Sequence, residues 1–175
     1  DVVIKALRKD ASRENEILAF LKSEYVVEYI CSYYDGGVPH VVMEYAPCGS
    51  LLARYREIPT DLLLKVFEDV ARALRYLHDE KHIIHRDVKP HNVLLFDASR
   101  AVAVNAKLAD FGISRTVDGS EFTRNLGTLI YTAPEVFCGD YSFPCDVYGL
   151  GMSMYVTLSR IDACDPCICP TTPFS

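Results

Sequence analysis

Pro47-Cys48-Gly49-Ser50 breaks the hydrophobic pattern between a mainly strand-like first part and a long helix, and no other feature constrains the fold as strongly. Before this break lie short β-branched or alternating segments. Val2-Val3-Ile4-Lys5 reads as a strand, and Val26 to Tyr34 and His40 to Tyr45 read as two more, joined by a turn at Asp35-Gly36-Gly37. A helix is predicted from about Ala11 to Ser23, with Ile17, Leu18 and Leu21 on one face. Glu14 lies on that same stripe, where a carboxylate needs either a partner or the solvent at a helix start. After the break the period becomes helical. Leu63, Phe67, Val70, Leu74 and Leu77 form a stripe along a helix from about Asp61 to Asp79, and Thr60 is placed to cap it. The chain therefore reads as an α+β fold in two parts: a small β-rich lobe with its hinge over residues 1–46, and a mainly helical part over 47–175.

Composition narrows the class. The 175 residues carry a net charge of −6 and are 50% hydrophobic, enough apolar side chain for the core of about one domain. A disordered tail is excluded on that ground. An acidic chain repels phosphate backbones, which argues against a general nucleic-acid binder. The longest apolar stretch, Val147 to Leu158, is interrupted by Gly149, Gly151, Ser153 and Thr157, so no membrane span is expected. The first ten residues lack the layout of a signal peptide, and they lack an initiator Met, so an excerpt of a longer chain is expected. Cys31, Cys48, Cys138 and Cys145 are scattered among an odd total of seven, which suits reduced thiols and a cytoplasmic setting.

Further along, Val93 to Phe96 and Ala101 to Leu108 read as a strand and its return. Residues Gly112 to Thr132 are polar and aperiodic, and read as a long functional loop. A last helix is predicted from Cys145 or Asp146 to about Leu158, followed by an irregular tail rich in Pro and Cys.

Chemistry-bearing residues stand in a fixed order. His85-Arg86-Asp87 is followed by Lys89, Pro90 and Asn92, then by Asp110-Phe111-Gly112, then by Ala133-Pro134-Glu135 and Asp146, with Lys5 upstream in its VVIK strand. Each triplet alone is weak. Together the set resembles the signature of the eukaryotic protein kinase domain, serine/threonine type, over nearly the whole chain.

The resemblance implies a two-lobed fold with a small β-rich N-lobe and a mainly helical C-lobe, both truncated. It implies transfer of the γ-phosphate of ATP, assisted by Mg²⁺, to a Ser or Thr hydroxyl of a protein substrate. Asp87 would accept the hydroxyl proton, Lys89 would hold the γ-phosphate, Lys5 the α- and β-phosphates, and Glu14 would orient Lys5. Asn92 and Asp110 would be the oxygen ligands of Mg²⁺. Met43 matches the gatekeeper and Glu44-Tyr45-Ala46 the adenine-binding hinge. Val3 and Leu94 would sandwich the adenine, and Ser50 would meet the ribose. Leu18, Phe111, His85 and Tyr29 match the stack that links the lobes, and Asp146 the helix acid that pins the His-Arg-Asp turn. Lys89 and Gly127-Thr128 match the serine/threonine class, with Thr128 bonded to Asp87 and Lys89. Arg86 implies phosphorylation in the loop by an upstream kinase, at Thr123 first and Ser120 or Thr116 next.

Departures from the family's pattern are also legible. The glycine-rich loop has no counterpart in the four residues before Lys5. The arginine that pairs with Glu135 has none either, so Glu135 is expected to lack a partner. An insertion is placed between Phe96 and Asn105. Cys164, Cys167 and Cys169 could bind zinc with a fourth ligand from Cys138 or Cys145, but read better as an insertion before Pro173-Phe174. Two rival functions remain: a pseudokinase-like scaffold or binding module, and a small-molecule phosphotransferase of related fold. The intact Lys5, Asp87, Asn92 and Asp110 argue against the first, and the long loop before Glu135 against the second.

Overall fold

The computed structural model describes residues 1–7, 19–97, 105–110, 129–140 and 142–160. The expected helix over 11–23, the insertion, most of the long loop and the Cys-rich tail lie wholly or largely outside these residues.

β-Branched side chains fit a pleated sheet, and the first lobe is built from them. β1 (Val2–Ala6) and β2 (Tyr29–Asp35) flank β3 (Val38–Glu44) in an antiparallel sheet of order β1-β3-β2. The hairpin between β2 and β3 turns on Gly36 and Gly37, both at positive φ (54° and 78°). Two such residues make the mirror-image turn whose twist matches the strands. Register places Lys5 opposite Val41 and Val3 opposite Met43.

The strand expected from Val26 begins only at Tyr29. Residues 25–27 lie instead along the second lobe. There β4 (Val93–Leu95) pairs antiparallel with β5 (Ala106–Leu108). Val27 N–H donates to Leu108 O at 3.0 Å and Leu108 N–H donates to Tyr25 O at 2.9 Å. Backbone groups leaving the solvent must pair, and here the partner belongs to the other lobe. The break at Pro47–Ser50 is a second junction: Cys48 N–H donates to Leu95 O at 3.1 Å and Leu95 N–H to Gly49 O at 2.9 Å.

A short helix, α1 (Leu51–Arg54), leads to α2 (Thr60–Arg75), which runs on into a π turn at Tyr76–Glu80. Thr60 is the first helical residue rather than the cap. Pro59, whose φ of −56° is already helical, takes that place, and its carbonyl accepts the Leu63 N–H at 2.9 Å. Leu63, Phe67, Val70, Leu74 and Leu77 are buried, as their spacing requires, against Leu51, Val93, Leu95 and Leu108. Asp69, also buried on α2, accepts the Ala106 N–H at 3.2 Å and ties the helix to β5; loss of solvent raises its carboxyl pKa.

Beyond a 3₁₀ turn at Pro134–Cys138, α3 (Phe143–Leu158) starts two residues before the expected Cys145 and packs on α2. Glu135 does have a neighbour: the Cys145 thiol lies 3.8 Å from its Oε1. At Gly149 the backbone of α3 meets residue 88 so closely that a Cβ would stand 2.8 Å from Val88 O, whereas a Cβ on Gly151 would meet nothing within 4 Å. Gly149→Ala is therefore expected to cost about 1–3 kcal/mol in urea unfolding through overpacking against backbone. Gly151→Ala is expected to add about 0.5–1 kcal/mol through helix propensity.

Candidate active site

The segment from His85 to Asn92 leaves the helical layer and enters β4, and one buried carboxylate fixes its course. Asp146, in the first turn of α3, is 1% exposed. Its Oδ2 accepts the His85 N–H at 2.8 Å and lies 2.7 Å from His78 Nε2; its Oδ1 accepts the Arg86 N–H at 2.7 Å. Arg86 sits at φ 71°, a left-handed conformation that costs a residue with a Cβ, and Asp146 holds it there.

His85 is fully buried. Its Nδ1 accepts the Asp87 N–H at 3.2 Å and its Nε2 faces Ala109 O at 3.1 Å. These partners require the neutral ring with its proton on Nε2. Desolvation lowers the His85 pKa, against the opposing pull of Asp146 and Asp87. One imidazole thus ties Asp87 to the residue that precedes Asp110.

Asp87 is gripped from two sides. Lys89 Nζ lies 2.8 Å from its Oδ2, and Asn92 Nδ2 donates to its backbone O at 2.8 Å and to its Oδ2 at 3.0 Å. Asn92 O accepts the Ala109 N–H at 2.8 Å, which sets the register of Asp110 beside this segment. Asp110, at φ 57°, meets Lys5 Nζ across the lobes at 2.7 Å, with both side chains well exposed.

Lys5, Asn92 and Asp110 border a cleft of about 210 Å³. It is lined by Lys5, Leu7, Val27, Val41, Met43, His91, Asn92, Leu94, Ala109 and Asp110. Of the residues expected to meet nucleotide, Lys5, Met43, Leu94 and Asp110 line it, as does Asn92. Val3, Glu44, Ala46 and Ser50 stand around it: Val3 opposite Met43, Glu44 at the end of β3, Ala46 buried in the hinge, and Ser50 bridged to Leu94. Tyr29 packs on the core and pairs with Met43. Glu14, Leu18, Phe111, Thr116, Ser120, Thr123, Gly127 and Thr128 lie outside the described residues, as do Cys164, Cys167 and Cys169.

Sequence reasoning overlooked His78, His91 and Lys107. Lys107 interrupts the short apolar strand Ala106–Leu108, the one signal that could have found it; His78 lies in the polar turn Tyr76–Glu80 and carries none. Lys107 Nζ lies 2.6 and 2.9 Å from the two carboxylate oxygens of Glu44.

The donor set suits a hard cation. Asn92 uses its amide nitrogen on Asp87, which leaves Oδ1 as an acceptor, and Asp110 offers a carboxylate. Among the described residues no cluster of three or more His, Cys, Asp or Glu could hold a metal by itself. Two oxygen ligands are what Mg²⁺ takes when phosphate oxygens complete its shell.

Comparison with known proteins gives the family and the fold. The family profile of the protein kinase domain matches residues 2–165. A mitogen-activated protein kinase kinase of Nicotiana tabacum, SIPKK, is 34% identical over 154 residues, covering 85% of this chain and 42% of the relative. The dual specificity mitogen-activated protein kinase kinase dSOR1 of Drosophila melanogaster is 34% identical over 153 residues, 85% of this chain and 37% of its own. The crystal structure of Rad53 in complex with AMP-PNP superposes with a TM-score of 0.71 at 26% identity, over 91% of this chain and 41% of that one. The chain thus spans well under half the length of each.

Because burial lowers the His85 pKa, the native state binds fewer protons there than the unfolded chain, whose ordinary value is 6.5. This contribution to stability is complete above that value and lost as pH falls below it. Unfolding free energy is expected to decline from about pH 7 to about pH 5, and to decline less steeply in His85→Gln.

Proposed function

The chain belongs to the protein kinase domain family, and from that premise we propose that it transfers the γ-phosphate of ATP to a Ser or Thr hydroxyl of a protein. The observation that carries this reading is a cleft lined by Lys5, Asn92 and Asp110 from both lobes, with Asn92 bonded to Asp87 and Asp87 paired with Lys89. A phosphoryl transfer asks for alignment and charge neutralisation rather than covalent catalysis, and these side chains supply both.

Asp87, oriented by Asn92 and by the His85 ring, would accept the proton of the substrate hydroxyl. The hydroxyl oxygen forms a bond to the γ-phosphorus, the bond to the bridging β–γ oxygen breaks, and ADP leaves. Lys89, beside Asp87, would hold the transferred group, and Lys5 the α- and β-phosphates, with Glu14 orienting Lys5. Mg²⁺ held by Asn92 and Asp110 would neutralise charge on the phosphate oxygens. Adenine would lie between Val3 and Leu94 beside Met43, bonded to the backbone from Glu44 to Ala46, with the ribose near Ser50.

The curated relatives are named as kinases of mitogen-activated protein kinases, so such a kinase is the first substrate to test. The Drosophila relative's dual specificity adds Tyr to the acceptors worth assaying. Control by an upstream kinase acting on Thr123 would place a phosphate that Arg86 could pair with. A reducing, cytoplasmic setting is the one that the odd number and scattered spacing of the cysteines suit.

Transfer of radiolabelled γ-phosphate to a mitogen-activated protein kinase tests the reading. Asp87→Asn is expected to lower the rate by about 10²–10⁴-fold, the usual contribution of a positioned base, with nucleotide affinity retained. Nucleotide binding without any transfer, in the unmodified chain, would favour the scaffold reading.

A further inference from the structure

Residues 129–138 follow the long polar loop, and two small apolar clusters seat them on α3. Ile130 and Tyr131 pack with Val156 and Met152. Ala133 and Val136 pack with Cys145. The second seat also carries a polar contact. Cys145 is 7% exposed, and its Sγ lies 3.6 Å from Asp140 O and 3.8 Å from Glu135 Oε1. The Asp140 N–H donates to Glu135 O at 3.2 Å, so the turn from 135 to 140 closes on itself and then on the thiol. Glu135 is half-buried, and a carboxylate leaving water needs a donor. Among the described residues the Cys145 thiol is its one side-chain partner. A thiol has a single proton, and the charged oxygen competes for it better than a peptide carbonyl does.

Cys145 directly precedes Asp146 in the first turn of α3. The two side chains reach different segments. Asp146 accepts the His85 and Arg86 N–H groups, next to Asp87. Cys145 holds the turn that follows the loop. One turn of helix therefore sets both segments. Neither Cys145 nor Glu135 lines the cleft.

We propose that Cys145 is a positioning residue for the protein acceptor: its thiol fastens Glu135 to α3 and so holds the turn after the loop in the place where an acceptor polypeptide is received beside Asp87. The proposal rests on the phosphotransfer reading and names a determinant of its acceptor side. Where the turn is loose, the acceptor must order it on binding, and its apparent affinity falls by the fraction of chains in which the turn is formed. The complex, once formed, is the same, so the turnover of bound acceptor moves little. Nucleotide binding is spared, because the contact lies outside the cleft.

Steady-state transfer from Mg-ATP to a mitogen-activated protein kinase is measured for the unmodified chain, Cys145→Val and Cys145→Thr. The two replacements have nearly the same shape, and only the second keeps a donor. Amide exchange of Val136, Gly139 and Asp140 is followed in the same proteins. Cys145→Val is expected to raise the acceptor KM about fivefold, the scale of one hydrogen bond to a charged group, with kcat and the Mg-ATP KM within about twofold. It is also expected to speed exchange of the three amides. Cys145→Thr is expected to stay within about twofold of the unmodified chain throughout. Glu135→Met removes the acceptor oxygen and is expected to reproduce the rise in KM. Adding Cys145→Val to it is expected to raise KM no further.

Equal behaviour of the two Cys145 variants overturns the proposal, because the thiol would then serve only as packing. Effects of Cys145→Val and Glu135→Met that multiply overturn it too, since the two residues would not act through their contact. So does a Mg-ATP KM that rises as far as the acceptor KM. Normal transfer by Cys145→Val with an unmoved acceptor KM overturns the proposal and leaves the phosphotransfer reading intact. Failure of the unmodified chain to transfer phosphate overturns that reading, and the proposal with it.

Discussion

A carboxylate taken out of water must find donors for both oxygens, and Asp146 finds them in the backbone of His85 and Arg86 and in the ring of His78. Everything that follows in the chain depends on that settlement. It bends the segment after α2 so that Arg86 accepts a left-handed conformation. It brings the His85 ring under the Asp87 N–H, and through Ala109 it sets where β5 delivers Asp110. Gly149, three residues after Asp146 on α3, allows the approach by leaving no Cβ against Val88. Asp87 and Asp110 are therefore positioned from a helix that does not line the cleft, a division between rigid support and supported side chains.

The lobes meet through unequal contacts. Residues 25–27 share backbone bonds with Leu108, and the hinge shares them with Leu95. These bonds are shielded and fix one edge of the cleft. Across the mouth, Lys5 and Asp110 meet in the open, where water and salt compete. An exposed contact of this kind is easily exchanged for a charged ligand, whereas Glu44 and Lys107, half-enclosed on the hinge side, are placed to resist it. The two lobes thus join firmly at the back and loosely at the front.

Much of this is legible in the sequence. The stripe from Leu63 to Leu77 declares its helix because helical periodicity is local, and Gly36-Gly37 declares its hairpin because two positive φ angles ask for glycine. The polar residues from His85 to Asn92 were legible by type and order. What stayed hidden depends on partners remote in sequence. Nothing in Tyr25 to Val27 distinguishes pairing with β3 from pairing with β5, since the same side chains serve either. Lys107 reads as a solvated strand residue until Glu44, far away in the chain, is placed beside it. His78 reads as the edge of a helix until Asp146 arrives. Thr60 falls one position inside the helix rather than at its cap, because Pro59 serves as well at a helix start.

The central claim is that Lys5 and Asp110 face each other across a nucleotide site. Thermal unfolding with and without Mg-ATP, beside an Asp110→Ala control, tests it most directly. Ligand that binds only the native state stabilises it, by about 2.7 kcal/mol at a hundredfold excess over the dissociation constant. The account predicts a rise in unfolding temperature that needs Mg²⁺ and disappears in Asp110→Ala. A cooperative transition indifferent to Mg-ATP, or one that rises equally in the control, would contradict it.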